Sequence, residues 1–161
     1  MWNKITTTTA TPVAFILRIT LALIMLPHGL QLLLGWFGGA GFEATMTTFT
    51  EYLHLPGWVA LGAILITSFG SLALLVGFWG RIMAFLEGVF LLGAMLSVHL
   101  SYGFFMNWSG KNSGEGFEYH LLGIGIAVAL IMLGSGSYSA DLALQQKRQG
   151  RLSPFSAQKI N

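Results

Sequence analysis

Long apolar stretches separated by short polar segments dominate the chain. They predict four membrane-spanning helices, at about residues 13–34, 58–79, 82–102 and 118–134. A helix needs roughly 20 apolar residues to cross about 30 Å of hydrocarbon, and the first three stretches reach that length. The expected fold is therefore all-α, a bundle of four transmembrane helices.

An amphipathic segment separates the first two spans. Phe42, Met46, Phe49 and Leu53 fall on one face of a helix, and the polar residues between them fall elsewhere. This pattern predicts a short helix that lies in the membrane interface.

Composition and charge support a membrane protein. Hydrophobic residues make up 54% of the chain and charged residues 9%, whereas soluble domains carry about 25% charged residues. The lipid bilayer is thus the expected partner, and nucleic acid is not, because no helix carries a basic face. The chain has no Cys, which excludes disulfides and Cys-ligated iron–sulfur clusters within it. A cleaved signal peptide is the competing interpretation of the first span, but Arg18 interrupts its apolar core.

Lys and Arg also predict the orientation. With both termini in the cytoplasm, the inner side carries Lys4, Arg18, Arg81, Lys147, Arg148, Arg151 and Lys159, and the outer side carries Lys111 alone. The positive-inside rule therefore predicts that both ends lie in the cytoplasm. Residues 1–142 form the membrane domain and residues 143–161 a basic cytoplasmic tail.

Two charges of opposite sign fall at similar depth near the inner side. Arg18 lies roughly 8 Å and Glu87 roughly 9 Å from the inner ends of their spans. Unpaired charges inside a membrane are costly, so we expect an ion pair between them, with Arg81 nearby. The alternative is that Arg18 extends to the lipid headgroups.

A second polar group is expected in the outer third, where His28, His99, Glu118 and His120 approach from three spans. Imidazole can bind a metal, carry a proton or hydrogen-bond a quinone oxygen. The alternative is that these residues simply face the headgroups. Glu118 and His120 lie about 200° apart on a helix, so only one of them can point inward unless Glu118 precedes the first turn.

A metal or haem is not predicted. Facing histidines could hold haem, and three His with Glu could hold zinc or copper. No close spacing such as H-E-x-x-H supports either one, and no catalytic residue can be assigned.

Taken together, the motifs resemble the DoxX family of small four-helix membrane proteins, over about residues 13–142. The matching pieces are Arg18, His28–Gln31, Gly35–Gly39, Gly41-Phe42, Leu55-Pro56, Leu75–Gly77, Arg81, His99, Gly103–Phe105, Gly116–Tyr119, Gly134–Gly136 and Ser139–Asp141. The chain departs from the family's usual pattern at Leu32-Leu33, where a Lys is common, and at Ser68, where an acid is common.

The resemblance implies a bacterial inner-membrane protein associated with quinone or thiol redox chemistry. Relatives include subunits of archaeal quinol oxidase and thiosulfate:quinone oxidoreductase complexes. Three functions follow as alternatives: a quinone-linked redox subunit acting with a partner protein, a non-enzymatic binding or transport module for a small apolar molecule, and an assembly partner without a ligand. Ala63, Gly70 and Gly77 form a small-residue seam, which could pack within the protomer or against a second copy.

Overall fold

A computed structural model describes residues 6–152, with side chains described as far as residue 150. This part of the chain is helical and contains no strand. Lys4, Lys159 and the side chain of Arg151, which belong to the predicted basic inner face, lie outside the described portion.

Six helical elements follow one another. Their bounds are α1 Pro12–Leu34, α2 Gly41–Thr47, α3 Gly57–Val76, α4 Gly80–Ser97, α5 Glu118–Leu133 and α6 Ala140–Leu152. Four π or 3₁₀ segments follow or interrupt them in the described part of the chain: Trp36–Gly38 after α1, Thr48–Tyr52 after α2, Ile66–Gly70 within α3, and His99–Tyr102 after α4.

Three of these helices, α1, α3 and α4, are long and apolar enough to cross a membrane, and α5 is a shorter apolar helix of 16 residues. The predicted positions of the spans are close to the observed helices, but two ends differ. The second predicted span ran to residue 79, whereas α3 stops at Val76 because Gly77 takes a left-handed conformation, with φ of 71°. The third ran to residue 102, whereas α4 ends at Ser97 and a 3₁₀ turn follows.

Helix α1 begins and ends with conventional caps. The Thr11 hydroxyl accepts a hydrogen bond from the Ala14 amide, and Pro12 occupies the first turn, where its missing N–H costs nothing. Gly35 ends the helix in a left-handed conformation.

Helices α1, α3, α4 and α5 pack around a common core. Its buried residues are Leu21, Ala22, Met25, Leu74, Ala84, Leu91, Ala127 and Leu130. Close approach of α1 to α3 depends on Gly29, because a Cβ there would come within 2.4 Å of the Thr67 carbonyl oxygen. Ser68 reinforces this contact by donating to the Gly29 carbonyl at 2.9 Å.

The buried guanidinium of Arg18 holds one end of the bundle together. Its Nε donates to the Ser135 carbonyl at 2.9 Å, and Nη1 donates to the Leu74 and Leu75 carbonyls at 2.8 and 2.6 Å. Nη2 donates to the Ser137 and Tyr138 carbonyls at 3.3 and 3.2 Å. We call Arg18 and these five carbonyls the Arg18 clasp. At the end of α3 it supplies the donor for the Leu75 carbonyl, and it shares the Leu74 carbonyl with the Gly77 amide.

Asp141 accepts hydrogen bonds from backbone amides at the start of α4, whereas Arg18 donates to carbonyls. Its two carboxylate oxygens accept from the amides of Trp79 and Gly80, each at 3.0 Å, and from the Ser135 hydroxyl at 2.5 Å. The amides at a helix N-terminus lack partners and carry partial positive charge, which suits a carboxylate. The Ser139 hydroxyl accepts from the Leu142 amide and so caps α6.

The predicted ion pair of Arg18 with Glu87 was wrong. All three nitrogens of the Arg18 guanidinium donate to carbonyls, and Glu87 contacts the Ser71 hydroxyl instead. The prediction compared the depths of the α-carbons, but the long Arg18 side chain carries its charge to free carbonyls near the helix ends. The carboxylate that interacts with Arg18 electrostatically is Asp141.

Arg81 does not join Glu87 either. Its side chain donates to the Thr7 carbonyl at 3.2 Å and to the carbonyls of Ile131 and Met132 at the end of α5. A cation is favourable there because the C-terminal end of a helix carries partial negative charge.

Replacing Arg18 by Ala should strongly destabilise the fold. The change leaves the carbonyls of Ser135 and Leu75 without a donor, and each costs about 1–3 kcal/mol, so we expect a loss of at least about 2 kcal/mol. Thermal or denaturant unfolding in detergent measures this loss. Arg148→Ala is the control, since Arg148 is exposed on α6 and should change stability by less than about 0.5 kcal/mol. Equal stability of the two variants would contradict a structural role for the clasp.

Candidate functional site

A cavity of about 390 Å³ lies at the end of the bundle opposite the Arg18 clasp. Its walls come from α1, α4, α5, the π segment after α2, and the loop before α5. Most of the lining is apolar: Met25, Leu32, Phe49, Phe90, Leu91, Ala94, Val98 and Met106. The polar lining residues are His28, Gln31, His99, Glu115, Tyr119 and His120. A volume of this size is typical of a small-molecule site.

The rings of His99 and His120 lie side by side in this cavity, with centroids 4.2 Å apart. The 3₁₀ turn after α4 carries His99, and its Nδ1 lies 2.9 Å from the Glu115 carbonyl oxygen. Because a carbonyl only accepts hydrogen bonds, Nδ1 of His99 carries a hydrogen, and Nε2 of the neutral ring is then an acceptor.

His120 is the buried member of the pair, with 7% of its surface exposed. Its Nδ1 is buried and has no hydrogen-bond partner. A buried polar atom left without a partner costs about 1–3 kcal/mol, so a ligand that supplied one would bind more tightly for that reason.

His28, on α1, lies opposite Tyr119 of α5 in the cavity wall. It is exposed, and its ring lies 6.5 Å from that of Tyr119, centroid to centroid. Arg18, Leu21 and Met25 precede it on the same face of α1 and are all buried. Three of the four predicted candidates, His28, His99 and His120, therefore lie around one cavity.

Glu118 does not line this cavity. Its Oε1 accepts from the Met106 amide at 3.0 Å and from the Trp108 indole N–H at 3.4 Å, so it binds the loop between α4 and α5. The physical reason is the angular separation noted above: His120 points into the bundle, and Glu118 therefore cannot.

Glu87 lies outside the cavity as well. It is completely buried, and its Oε1 is 2.8 Å from the Ser71 hydroxyl oxygen. Its partner Ser71 was not singled out from the sequence, although a polar residue within a membrane span is itself a signal of function.

Sequence reasoning also missed three polar wall residues: Gln31, Glu115 and Tyr119. Tyr119 had a usable signal, because it stands between two predicted site residues. Glu115 lies in a Gly-rich loop with no periodicity, so nothing in the sequence indicated that its carbonyl would contact His99.

The chemistry of this site is that of hydrogen bonding and proton exchange in an apolar enclosure. Among residues 6–152, no group of three or more His, Cys, Asp or Glu side chains is arranged to hold a metal ion. The walls suit a mainly apolar molecule that can hydrogen-bond to a few polar side chains.

The fold and site define a helical membrane protein with a histidine-lined cavity at one end. The family model for DoxX matches residues 13–100 of the chain. The chain belongs to the DoxX family. The match covers α1 to α4, including Arg18, His28, Glu87 and His99, and stops before His120. No curated protein and no solved structure matches the chain.

Replacing Glu118 by Ala should loosen the loop between α4 and α5. The amide of Met106 loses its acceptor, so its hydrogen exchange should become at least about fivefold faster, the effect of losing roughly 1 kcal/mol of local stability. Glu43→Ala is the control, because Glu43 is exposed on α2. Unchanged exchange at Met106 in the Glu118 variant would show that this carboxylate does not hold the loop.

Proposed function

We propose that the chain crosses a bacterial inner membrane four times and binds a quinone in the cavity lined by His28, His99 and His120. The observation that carries the proposal is the His120 side chain, which lines a largely apolar cavity and whose buried Nδ1 has no hydrogen-bond partner.

A quinone ring matches both properties of the cavity. The flat ring packs against apolar walls such as Phe90 and Met25, and its oxygens accept hydrogen bonds from imidazole N–H groups. After reduction, the hydroxyls of the quinol donate to imidazole nitrogens instead, so the same histidines serve both forms.

Electrons then come from or go to a partner protein. The chain contains no Cys, so it has neither a thiol relay nor Cys-ligated iron–sulfur clusters of its own. We therefore propose the role of a quinone-binding subunit. Two residues of the small-residue seam pack within the protomer, since a Cβ at Gly70 would meet Glu87 and Met83 and one at Gly77 would meet Ser139.

The fourth span is α5. Its 16 residues rise about 24 Å, a little less than the hydrocarbon thickness. Arg81 binds its final carbonyls, and Glu118 joins its first turn to the outer loop, so polar groups flank the apolar stretch at both ends. Arg81, Lys147 and Arg148 lie toward the clasp end, which we propose faces the cytoplasm with both chain termini.

A short-chain benzoquinone should bind the purified protein saturably, and His120→Ala should weaken that binding about three- to tenfold. This range corresponds to the loss of one hydrogen bond, about 0.7–1.4 kcal/mol. Equilibrium dialysis of the protein in lipid nanodiscs measures the affinity. His54→Asn is the matched control, because His54 is exposed, does not line the cavity and has φ of 52°, which Asn tolerates.

The alternative function, a module for apolar molecules, predicts a different pattern. The same ring lacking its carbonyl oxygens would then bind as tightly as the quinone, and His120→Ala would leave both affinities unchanged. Absence of saturable quinone binding would refute the proposed function.

Single cysteines introduced into this cysteine-free chain should show its orientation. We expect Lys111→Cys to react with a membrane-impermeant maleimide added outside cells with a permeabilised outer membrane. Lys147→Cys should react only after the inner membrane is lysed. Labelling of both positions from the same side would mean that the number of spans between them is even, which would exclude α5 as a membrane span.

A further inference from the structure

Glu87 has an unusual environment for a carboxyl group. It lies on α4 with 0% of its surface exposed, and its Oε2 has no hydrogen-bond partner. The other oxygen, Oε1, has one polar neighbour, the Ser71 hydroxyl at 2.8 Å. Charged carboxylates normally accept several hydrogen bonds when they are buried, because losing water is expensive.

The second contact of Ser71 shows which acceptor its hydroxyl hydrogen is directed to. Its hydroxyl oxygen also lies 2.6 Å from the Thr67 carbonyl oxygen, the shorter of the two contacts. A carbonyl only accepts, so the single hydroxyl hydrogen of Ser71 is directed to Thr67. The contact between Ser71 and Glu87 then needs a hydrogen of its own, and Glu87 is the group that can carry it.

The elements packed against this part of α4 supply no positive charge. Residues 57–76 of α3 contain no charged side chain. Beside Gly70, Oε1 of Glu87 lies near the apolar side chains of Ile66 and Met83. The two nearby arginines, Arg18 and Arg81, direct their hydrogen bonds to carbonyls.

The remaining titratable groups near α4 come from α5 and from the turn after α4. Of these, Tyr119 is a phenol, which cannot supply a positive charge. Glu118 binds the loop, and His99 and His120 line the cavity.

We propose that Glu87 is a proton-binding site inside the membrane domain. Oε1 carries the proton and donates it to Ser71 Oγ, which in turn donates to the Thr67 carbonyl. An ionised Glu87 would have a single hydroxyl for a partner and no countercharge, a state that costs several kcal/mol in a membrane interior.

The position of this site connects it to the cavity. Phe90 and Leu91 follow Glu87 by three and four residues, on the same face of α4, and both line the cavity. The proton is therefore held about one helical turn below the cavity floor. This proposal does not depend on what the cavity binds.

Infrared spectroscopy of the intact protein in lipid at neutral pH tests the proposal. A protonated carboxyl group has a carbonyl stretching band well separated from that of a carboxylate, and we expect one such band. Glu87→Gln should remove it. Glu51→Gln is the matched control, because Glu51 is exposed after α2 and should leave the band unchanged.

Ser71→Ala gives an independent test should the Glu87 variant fail to fold. Loss of the acceptor weakens the hydrogen bond from Glu87, so the band should remain and move to higher frequency. Two results would overturn the proposal: no protonated-carboxyl band in the native protein, or a band that is identical in the native, Glu87→Gln and Ser71→Ala proteins.

Discussion

The donation of all three guanidinium nitrogens of Arg18 to backbone carbonyls is the interaction on which the rest of the architecture depends. It joins α1 to the end of α3 and to the segment between α5 and α6. Asp141 then ties that segment to the start of α4. A helix terminus buried without partners is destabilising, and here one cation and one anion satisfy termini of two consecutive helices. Only glycine fits at position 77 in this arrangement, because a Cβ there would lie 2.4 Å from the Ser139 Cβ and 3.1 Å from the Arg18 guanidinium carbon.

At the opposite end of the bundle, polar groups bind a loop and do not join helix termini. The groups there that could close the structure bind the loop instead: Glu118 holds Met106, and the Glu115 carbonyl holds His99. The helices therefore separate around a space that side chains do not fill, and His120 is left with a polar atom that has no partner. One end of the protein gains rigidity from satisfied backbone groups, while the other retains the hydrogen-bonding capacity that a ligand requires.

Hydrophobic periodicity predicted the helices well because a membrane imposes a length on each apolar stretch. It placed α1, α3 and α4 correctly and located His28, His99 and His120 at one end. It did not predict the partner toward which a side chain points. The depth of Arg18 and Glu87 along their helices was a fair basis for expecting proximity, but the partners of Arg18 are carbonyls, which are present at every residue and leave no trace in a sequence. Glu118 illustrates the same limit at the other end, since the loop that it binds has no periodic pattern.

The two buried acids of this protein show why the number and kind of hydrogen-bond donors, rather than burial, determine what a carboxyl group can do. Asp141 and Glu87 are both almost completely inaccessible. Asp141 accepts from two backbone amides and one hydroxyl, and the amides belong to a helix N-terminus that favours negative charge. Glu87 meets one hydroxyl whose hydrogen already serves the Thr67 carbonyl. The first environment stabilises a carboxylate and makes Asp141 part of the framework. The second stabilises a carboxylic acid, because an ionised Glu87 would lack a countercharge and would leave Oε2 without a hydrogen-bond donor.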